Sequence, residues 1–280
     1  MRPEALAVLG LGAIGGSLAW QARLAGIPRV LGFSPDGGDG ALALKSAAIT
    51  DLADTPSRAV RDADLVVIAA PPLATLGLLD TIGGWLRPGA VATDVTSIKR
   101  AIMARADAAG LADRFAGSHP LAGTHASGFA AARPDLFQGA VVYVTASLLG
   151  TDPRPAREVM DFWAQTLGAQ PVLIDADAHD HQLAWTSHLP QAAASALASV
   201  LARHKGVSFG TGARDTTRLA ASSASLWTEL MLLNRAEIVS ALEELERELS
   251  GLRQLVADGD AAALRGFLER AAVFRRGLDR

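Results

Sequence analysis

Three glycines in six residues, Gly10-Leu11-Gly12-Ala13-Ile14-Gly15, follow a short apolar run and open an apolar helical pattern. No other feature constrains the fold of this chain as strongly. The first glycine permits a tight turn, the second lets backbone approach a pyrophosphate, and the third allows close helix–strand packing. The N–H groups and positive dipole end of the helix then face the phosphates. Taken alone the spacing is a weak signal, and a purely structural glycine turn competes with it. The strand–turn–helix context favours a dinucleotide site at Gly10, Gly12, Ala13, Ile14 and Gly15.

The pattern continues accordingly. Strand-like segments at 5–9, 29–33, 65–69, 90–94, 114–117, 141–145 and 171–174 are interleaved with a helix over 14–25 and turn clusters such as Ser34-Pro35-Asp36-Gly37-Gly38. This predicts a parallel sheet with crossover helices. After about residue 176 the strand signals stop, and 179–204, 225–249 and 261–274 carry helical periodicity, with a kink or break at Pro190. The expected architecture is α/β: a Rossmann-type dinucleotide-binding domain over 1–176 and an all-helical domain over 177–280.

Composition narrows the function. With 280 residues, 50% of them hydrophobic, the chain can bury two cores, and a net charge of -3 gives no electrostatic reason to expect nucleic acid or an anionic membrane. The absence of cysteine removes disulfides, thiolate nucleophiles and zinc–thiolate sites, and fits a cytoplasmic protein. Arg2 and the apolar run 5–20 imitate a signal peptide, but Glu4 interrupts the basic region and the glycines have the better explanation above.

The position after the second strand discriminates between cofactors. NAD enzymes place an acidic residue there for the ribose diol. Here it is Ser34, which does not repel a 2′-phosphate and can donate to it, although no arginine is adjacent and Asp36 could reach the ribose. The reading favours NADP, with NAD the alternative. Pro71, at the end of another strand, either faces the cofactor or simply ends the strand.

Chemistry-bearing residues cluster at predicted strand ends. In Asp94-Val95-Thr96-Ser97-Ile98-Lys99, Thr96 or Ser97 can bond a ligand or cap the next helix. His119, in Gly117-Ser118-His119-Pro120-Leu121-Ala122-Gly123, can take a hydroxyl proton near neutral pH. A lone loop histidine is more often structural, but its place on the ligand edge favours chemistry. In the helical half, Ser187-His188-Leu189-Pro190-Gln191 sets polar groups on an apolar helix. Asp215 and Arg218 share a helix face three residues apart, either as a surface ion pair or as an arginine held for a carboxylate.

These segments together resemble the prephenate/arogenate dehydrogenase family of tyrosine biosynthesis over nearly the whole chain. Asp135 to Gly139 and Trp227 add to the likeness. The resemblance implies oxidative decarboxylation of a cyclohexadienol, with hydride passing to NAD(P) and the ring carboxylate leaving as carbon dioxide. It implies that His119 accepts the hydrogen bond of the ring hydroxyl and that Ser97 positions it. Arg218, steadied by Asp215, would bind a carboxylate, with Ser187 and Trp227 in or near the pocket, in a homodimer built on the helical domain. Two departures concern the substrate side chain. Many prephenate-using members have histidine where this chain has Gln191, and glutamate where it has His125. Competing readings are a related hydroxy-acid dehydrogenase or imine reductase and a non-catalytic dinucleotide-binding regulator. The reductases usually need a helical-domain lysine, and Lys205 is poorly placed for that role.

Overall fold

The computed structural model describes residues 2–123, 126–204 and 206–278. Its strands are β1 (Ala5–Leu9), β2 (Arg29–Phe33), β3 (Asp51–Leu52), β4 (Leu65–Ile68), β5 (Val91–Asp94), β6 (Ala116–Pro120), β7 (Val141–Ala146) and β8 (Gln170–Leu173). The α-helices, in chain order, are α1 (Ala13–Leu24), α2 (Gly37–Lys45), α3 (Pro56–Val60), α4 (Pro72–Ile82), α5 (Arg100–Ala108), α6 (Arg154–Asp161), α7 (Ala176–Leu183), α8 (Leu189–Leu201), α9 (Thr211–Thr217), α10 (Ala224–Leu233), α11 (Arg235–Asp258) and α12 (Ala261–Gly277). They form two compact units, one of Met1–Leu183 with Ala221–Asn234, the other of Ala184–Ala220 with Arg235–Arg280.

In the first unit, a parallel sheet runs in the order β3-β2-β1-β4-β5. Alternate residues serve opposite faces: Leu6, Val8 and Val67 pack with Leu18 and Ala22 of α1, while Ala7, Leu9 and Ile68 pack with Leu79, Ile82 and Ile102 of α4 and α5. Both faces are covered, which is why these strands read as continuous apolar runs. Full burial of a side chain such as Val67 or Ile68 contributes about 1.5–3 kcal/mol.

A second sheet, β6-β7-β8, pairs β6 antiparallel to β7 and β7 parallel to β8. A parallel bridge between Ala92 and Phe115 relates it to β5. The sequence predicts only parallel pairing. The antiparallel return follows from the connection 121–140, whose described part holds a 3₁₀ turn at Phe129–Ala131 in place of a crossover helix. Phe129 is stacked 6.1 Å from Trp20, and its N–H donates to Asp39 at 2.7 Å, tying this connection to α1 and α2.

Other differences from the sequence reading have local causes. The predicted turn at 34–38 runs straight into α2, because Asp36 accepts from the Gly38 N–H at 2.8 Å as an N-cap. The helix expected over 179–204 is α7, a π-helical segment at Ala184–His188, and then α8 with Pro190 in its first turn, where no N–H is needed. The helix expected over 225–249 divides at Asn234 into α10 and α11. The strand expected at 114–117 lies at 116–120, so His119 is a strand residue opposite Tyr143 rather than a loop residue.

Residues 177–183 and 221–234, which the sequence groups with the helical domain, pack within the first unit. Leu230 is buried in its core with Trp227 beside it, and Asn234 Nδ2 donates to the Asp180 carbonyl at 2.9 Å. The second unit comprises α8, α9, α11 and α12. Among the described residues no helix is long and apolar enough to cross a membrane.

Candidate active site

The glycine turn has the backbone that its sequence predicts. Gly10 has φ +104°, in the left-handed region, and a Cβ there would overlap the Ala69 carbonyl oxygen. A Cβ on Gly15 would overlap the Gly10 carbonyl oxygen, whereas one on Gly12 would meet nothing within 4 Å. Gly12 thus forms the open side. The N-terminus of α1 has no side-chain cap and no acidic residue in its first turn. Donor groups left to an incoming ligand, beside a backbone that nothing shields, fit a dinucleotide pyrophosphate.

A cleft of about 470 Å³ opens beside this turn, where the strand order reverses between β1 and β4. It is lined by residues 12–15, 69–72, 95–97, 119–120, 122–123, 126–128 and Leu226. Gly12, Ala13, Ile14, Gly15, Pro71, Thr96, Ser97 and His119, singled out separately in the sequence, therefore share one cavity within the first unit. Ser34 does not line it, and Asp36 is engaged as the α2 cap. Pro71 lines the cleft and Pro72 opens α4, so both readings of this dipeptide have substance.

The floor of the cleft is a buried polar network. Asp94 ends β5 and is fully buried. Its Oδ2 accepts from the Thr96 N–H (2.9 Å), the Thr96 hydroxyl and Lys99 Nζ (2.6 Å), and its Oδ1 accepts from the Ser118 N–H (3.1 Å). Lys99 is itself 0% exposed, and burial pushes its ammonium below the usual lysine range despite the opposing pull of Asp94. Gly117 makes room for it, since a Cβ there would sit 3.0 Å from Lys99 Cδ. The Thr96 hydroxyl and N–H are both committed to Asp94, and Ser97 is half-buried. Neither Thr96 nor Ser97 caps α5, whose N-cap position is Lys99.

His119 is 8% exposed on β6, with Nδ1 2.9 Å from His179 Nε2 and the two rings edge to face at 5.1 Å. His179 Nδ1 lies 2.8 Å from Asp180 Oδ1. The Asp180 carboxylate also accepts the backbone N–H groups of Lys99 (2.7 Å) and Arg100 (2.9 Å), capping α5 from α7. Burial pushes the Asp180 carboxyl up, but these hydrogen bonds outweigh it and hold the group below its ordinary value. Burial also holds the His179 imidazole below its ordinary value.

The remaining candidates are on helices outside the cleft lining. Trp227 is half-buried on α10, packed against the first unit's core. In the second unit, Ser187 lies in the π-helical segment and Gln191 on α8. Gln191 is 4% exposed, and its Nε2 donates to the Leu219 carbonyl at 2.9 Å, which fixes the amide orientation. Its Oε1 has no hydrogen-bond partner among the described residues. Arg218 and Asp215 are exposed, Asp215 on α9 and Arg218 at the start of the 3₁₀ turn that follows it. His125 lies outside the described residues, as does Lys205.

His179, Asp180 and the role of Lys99 are not legible in the sequence. The only local signal was a His-Asp pair opening a helix, and its partners lie 60 and 80 residues away.

Residues 22–172 match the family model for the nucleotide-binding domain of prephenate dehydrogenase, and residues 175–270 match that family's dimerization domain. A prephenate dehydrogenase of Bacillus subtilis is 31% identical over 98% of this chain and 76% of its own. A cyclohexadienyl dehydrogenase of Zymomonas mobilis is 32% identical over 91% of this chain and 90% of its own. Among solved structures, a prephenate dehydrogenase from A. aeolicus, in complex with hydroxyphenyl propionate and NAD+, has a TM-score of 0.90 at 25% identity, covering 98% of both chains. A Synechocystis arogenate dehydrogenase has a TM-score of 0.82 at 27% identity, covering 98% of this chain and 99% of its own.

Proposed function

The chain belongs to the prephenate/arogenate dehydrogenase family, and from that premise we propose that His119 is its base and that both prephenate and arogenate are substrates. The activity is NAD(P)-dependent oxidative decarboxylation of a cyclohexadienol. One observation carries the assignment of the base: His119 and Ser97 line the same cleft as the glycine turn.

When bound, the cofactor supplies the hydride acceptor, held at its pyrophosphate by Gly12, Ala13 and the α1 N-terminus. The His119 imidazole takes the proton of the ring hydroxyl as the carbon–oxygen double bond forms. The Ser97 hydroxyl orients that hydroxyl towards the imidazole. Arg218, whose guanidinium is a planar fork of donors, binds a substrate carboxylate. The carbon–carbon bond to the carboxylate then breaks, its electron pair aromatises the ring with the charge on the former carbonyl oxygen, carbon dioxide leaves, and the His119 imidazolium returns the proton to that oxygen. Low exposure of His119 limits water around the proton acceptor.

Gln191 supports a broad choice of side chain. With its nitrogen fixed on Leu219, the group still unsatisfied is an acceptor oxygen, which suits the ammonium of arogenate. Ser34 at the end of β2 supports use of NADP beside NAD, since no carboxylate of its own opposes a 2′-phosphate.

Specificity constants for prephenate and arogenate, each with NAD and NADP, test these assignments. Turnover of both acids is expected, with NADP within about a hundredfold of NAD, or about 2.7 kcal/mol. A larger NAD preference overturns the cofactor reading, and inactivity towards arogenate overturns the Gln191 reading. Inactivity towards both overturns the function. In the same assay Arg218→Gln should raise KM about 10- to 100-fold, the loss of one charge-assisted hydrogen bond, and an unchanged KM removes Arg218 from the site.

The second unit's helices α11 and α12 expose Leu249, Val256, Leu268, Val273 and Phe274. Together with the match to a dimerization domain, this supports a homodimer through these helices. Light scattering should give twice the 29.0 kDa chain mass, and a monomer mass at micromolar concentration would discard the proposal.

A further inference from the structure

We infer that His179 and Asp180 form a relay that fixes the tautomer of His119, leaving its Nε2 as the proton acceptor. The inference rests on the assignment of His119 as the base and supplies what that assignment needs. A neutral imidazole has one donor and one acceptor nitrogen, and only one of its two tautomers can take a proton at Nε2.

The assignment of hydrogens starts at the carboxylate. Asp180 Oδ1 faces the Lys99 N–H and Oδ2 faces the Arg100 N–H, and both are backbone donors with no other role available. The carboxylate is therefore an acceptor at both oxygens and is ionised. The His179 Nδ1 at 2.8 Å from Oδ1 must then carry the hydrogen and donate. In a neutral ring this makes His179 Nε2 an acceptor. The His119 Nδ1 at 2.9 Å from it must donate in turn. With its hydrogen on Nδ1, His119 has its basic lone pair on Nε2.

The surroundings keep the intermediate ring neutral. His179 and Asp180 are 0% and 1% exposed. The charged and titratable groups around His179 are Asp180 on its own helix, Lys99 and Asp94 beside α5, His119 on β6, and Tyr143 on β7, whose ring meets it edge to face at 5.7 Å. Burial and the Lys99 charge oppose a proton on His179, while Asp180 and Asp94 favour one, and the net direction is towards the neutral form. When His119 takes the substrate proton, its Nδ1–H remains directed at a ring that the Asp180 anion polarises, which stabilises the imidazolium. Tyr143 and Asn234 hold the arrangement mechanically. Tyr143 accepts from Gln182 at 2.5 Å, and Asn234 donates to the Asp180 backbone carbonyl. His179 and Asp180 are thus positioning residues.

Two measurements test this. In full-length wild-type protein with 15N-labelled histidine, the His119 ring should show a protonated Nδ1 and an unprotonated Nε2 above neutral pH, with signals assigned by their loss in His119→Asn. The opposite tautomer overturns the relay without touching the assignment of the reaction, which wild-type turnover of prephenate or arogenate tests separately. In kinetics, His179→Leu removes the acceptor and should lower kcat about 10²- to 10⁴-fold with little change in KM, as expected for a base held in the wrong tautomer. The rising limb of its kcat/KM profile should move to lower pH, because the imidazolium loses its stabilising partner. His179→Gln, whose Oε1 can stand in for Nε2, should restore at least a tenth of the lost rate. If the His179→Leu rate falls with the limb unmoved, or if His179→Gln is as impaired as His179→Leu, the histidine is merely structural and the inference fails.

Discussion

Replacing His119 with asparagine should reduce turnover by about 10³- to 10⁴-fold, the contribution of a well-placed general base, while leaving cofactor affinity within a factor of about two. The asparagine amide retains a donor or acceptor near the original Nδ1, so the contact with His179 can persist and the β6–β7 pairing, which is backbone-made, is kept. What is lost is a basic nitrogen facing the cleft. In energy terms the change raises the barrier by about 4–5.5 kcal/mol. The glycine turn and the α1 N-terminus depend on different contacts, chiefly with Ala69 and the Phe33 carbonyl, so dinucleotide titration should be unaffected. Steady-state rates with prephenate, paired with cofactor titration, separate the two. Turnover above a tenth of wild type would remove His119 from the role of base.

The second large effect is on stability. Lys99→Met should cost about 3–5 kcal/mol, the usual result of removing one partner from a buried ion pair. Methionine fills much of the space, so the loss is electrostatic rather than a cavity. Asp94 would stay buried, with only the Thr96 and Ser118 donors to satisfy its charge. Against a total of about 5–15 kcal/mol for a typical domain, this is a large fraction. Adding Asp94→Asn should recover part of the loss, because the uncompensated charge disappears with its partner. Urea unfolding of the single and double variants measures both. A cost below about 1 kcal/mol for Lys99→Met would place the pair among the weak surface bridges and contradict its burial.

The parts of this architecture that sequence reveals are those written locally. β1 and β2 fall where period and flanking glycines place them, and the glycine turn announces its own backbone. α2 was hidden because Gly37, Gly38 and Gly40 look like a turn. Gly40 has a tertiary reason instead, since a Cβ there would meet the Leu52 side chain. Gly117 and Pro120 on either side make His119 look like a loop residue in the sequence. Its strand character comes from Tyr143 across the sheet, 24 residues away in sequence. The site was legible where motif and strand end coincide, at Ser97 and His119. It was illegible at His179, Asp180 and Lys99, whose meaning is wholly in partners distant along the chain. No periodicity encodes a carboxylate that caps a helix 80 residues before it.

That cap bears on how the gene for such a protein can be cut and recombined. Asp180 lies in the stretch matching the dimerization module, yet it belongs to the first unit, where it caps α5 and meets His179. A chimera joined at the apparent module seam, between 172 and 175, would draw the two halves of one hydrogen-bond chain from different parents. A crossover after Leu183 keeps them together. The exchangeable block, in engineering terms, is discontinuous: it runs to the bottom of α7, one helix later than the motif boundaries suggest, and includes 221–234, whose Asn234 bonds the Asp180 carbonyl.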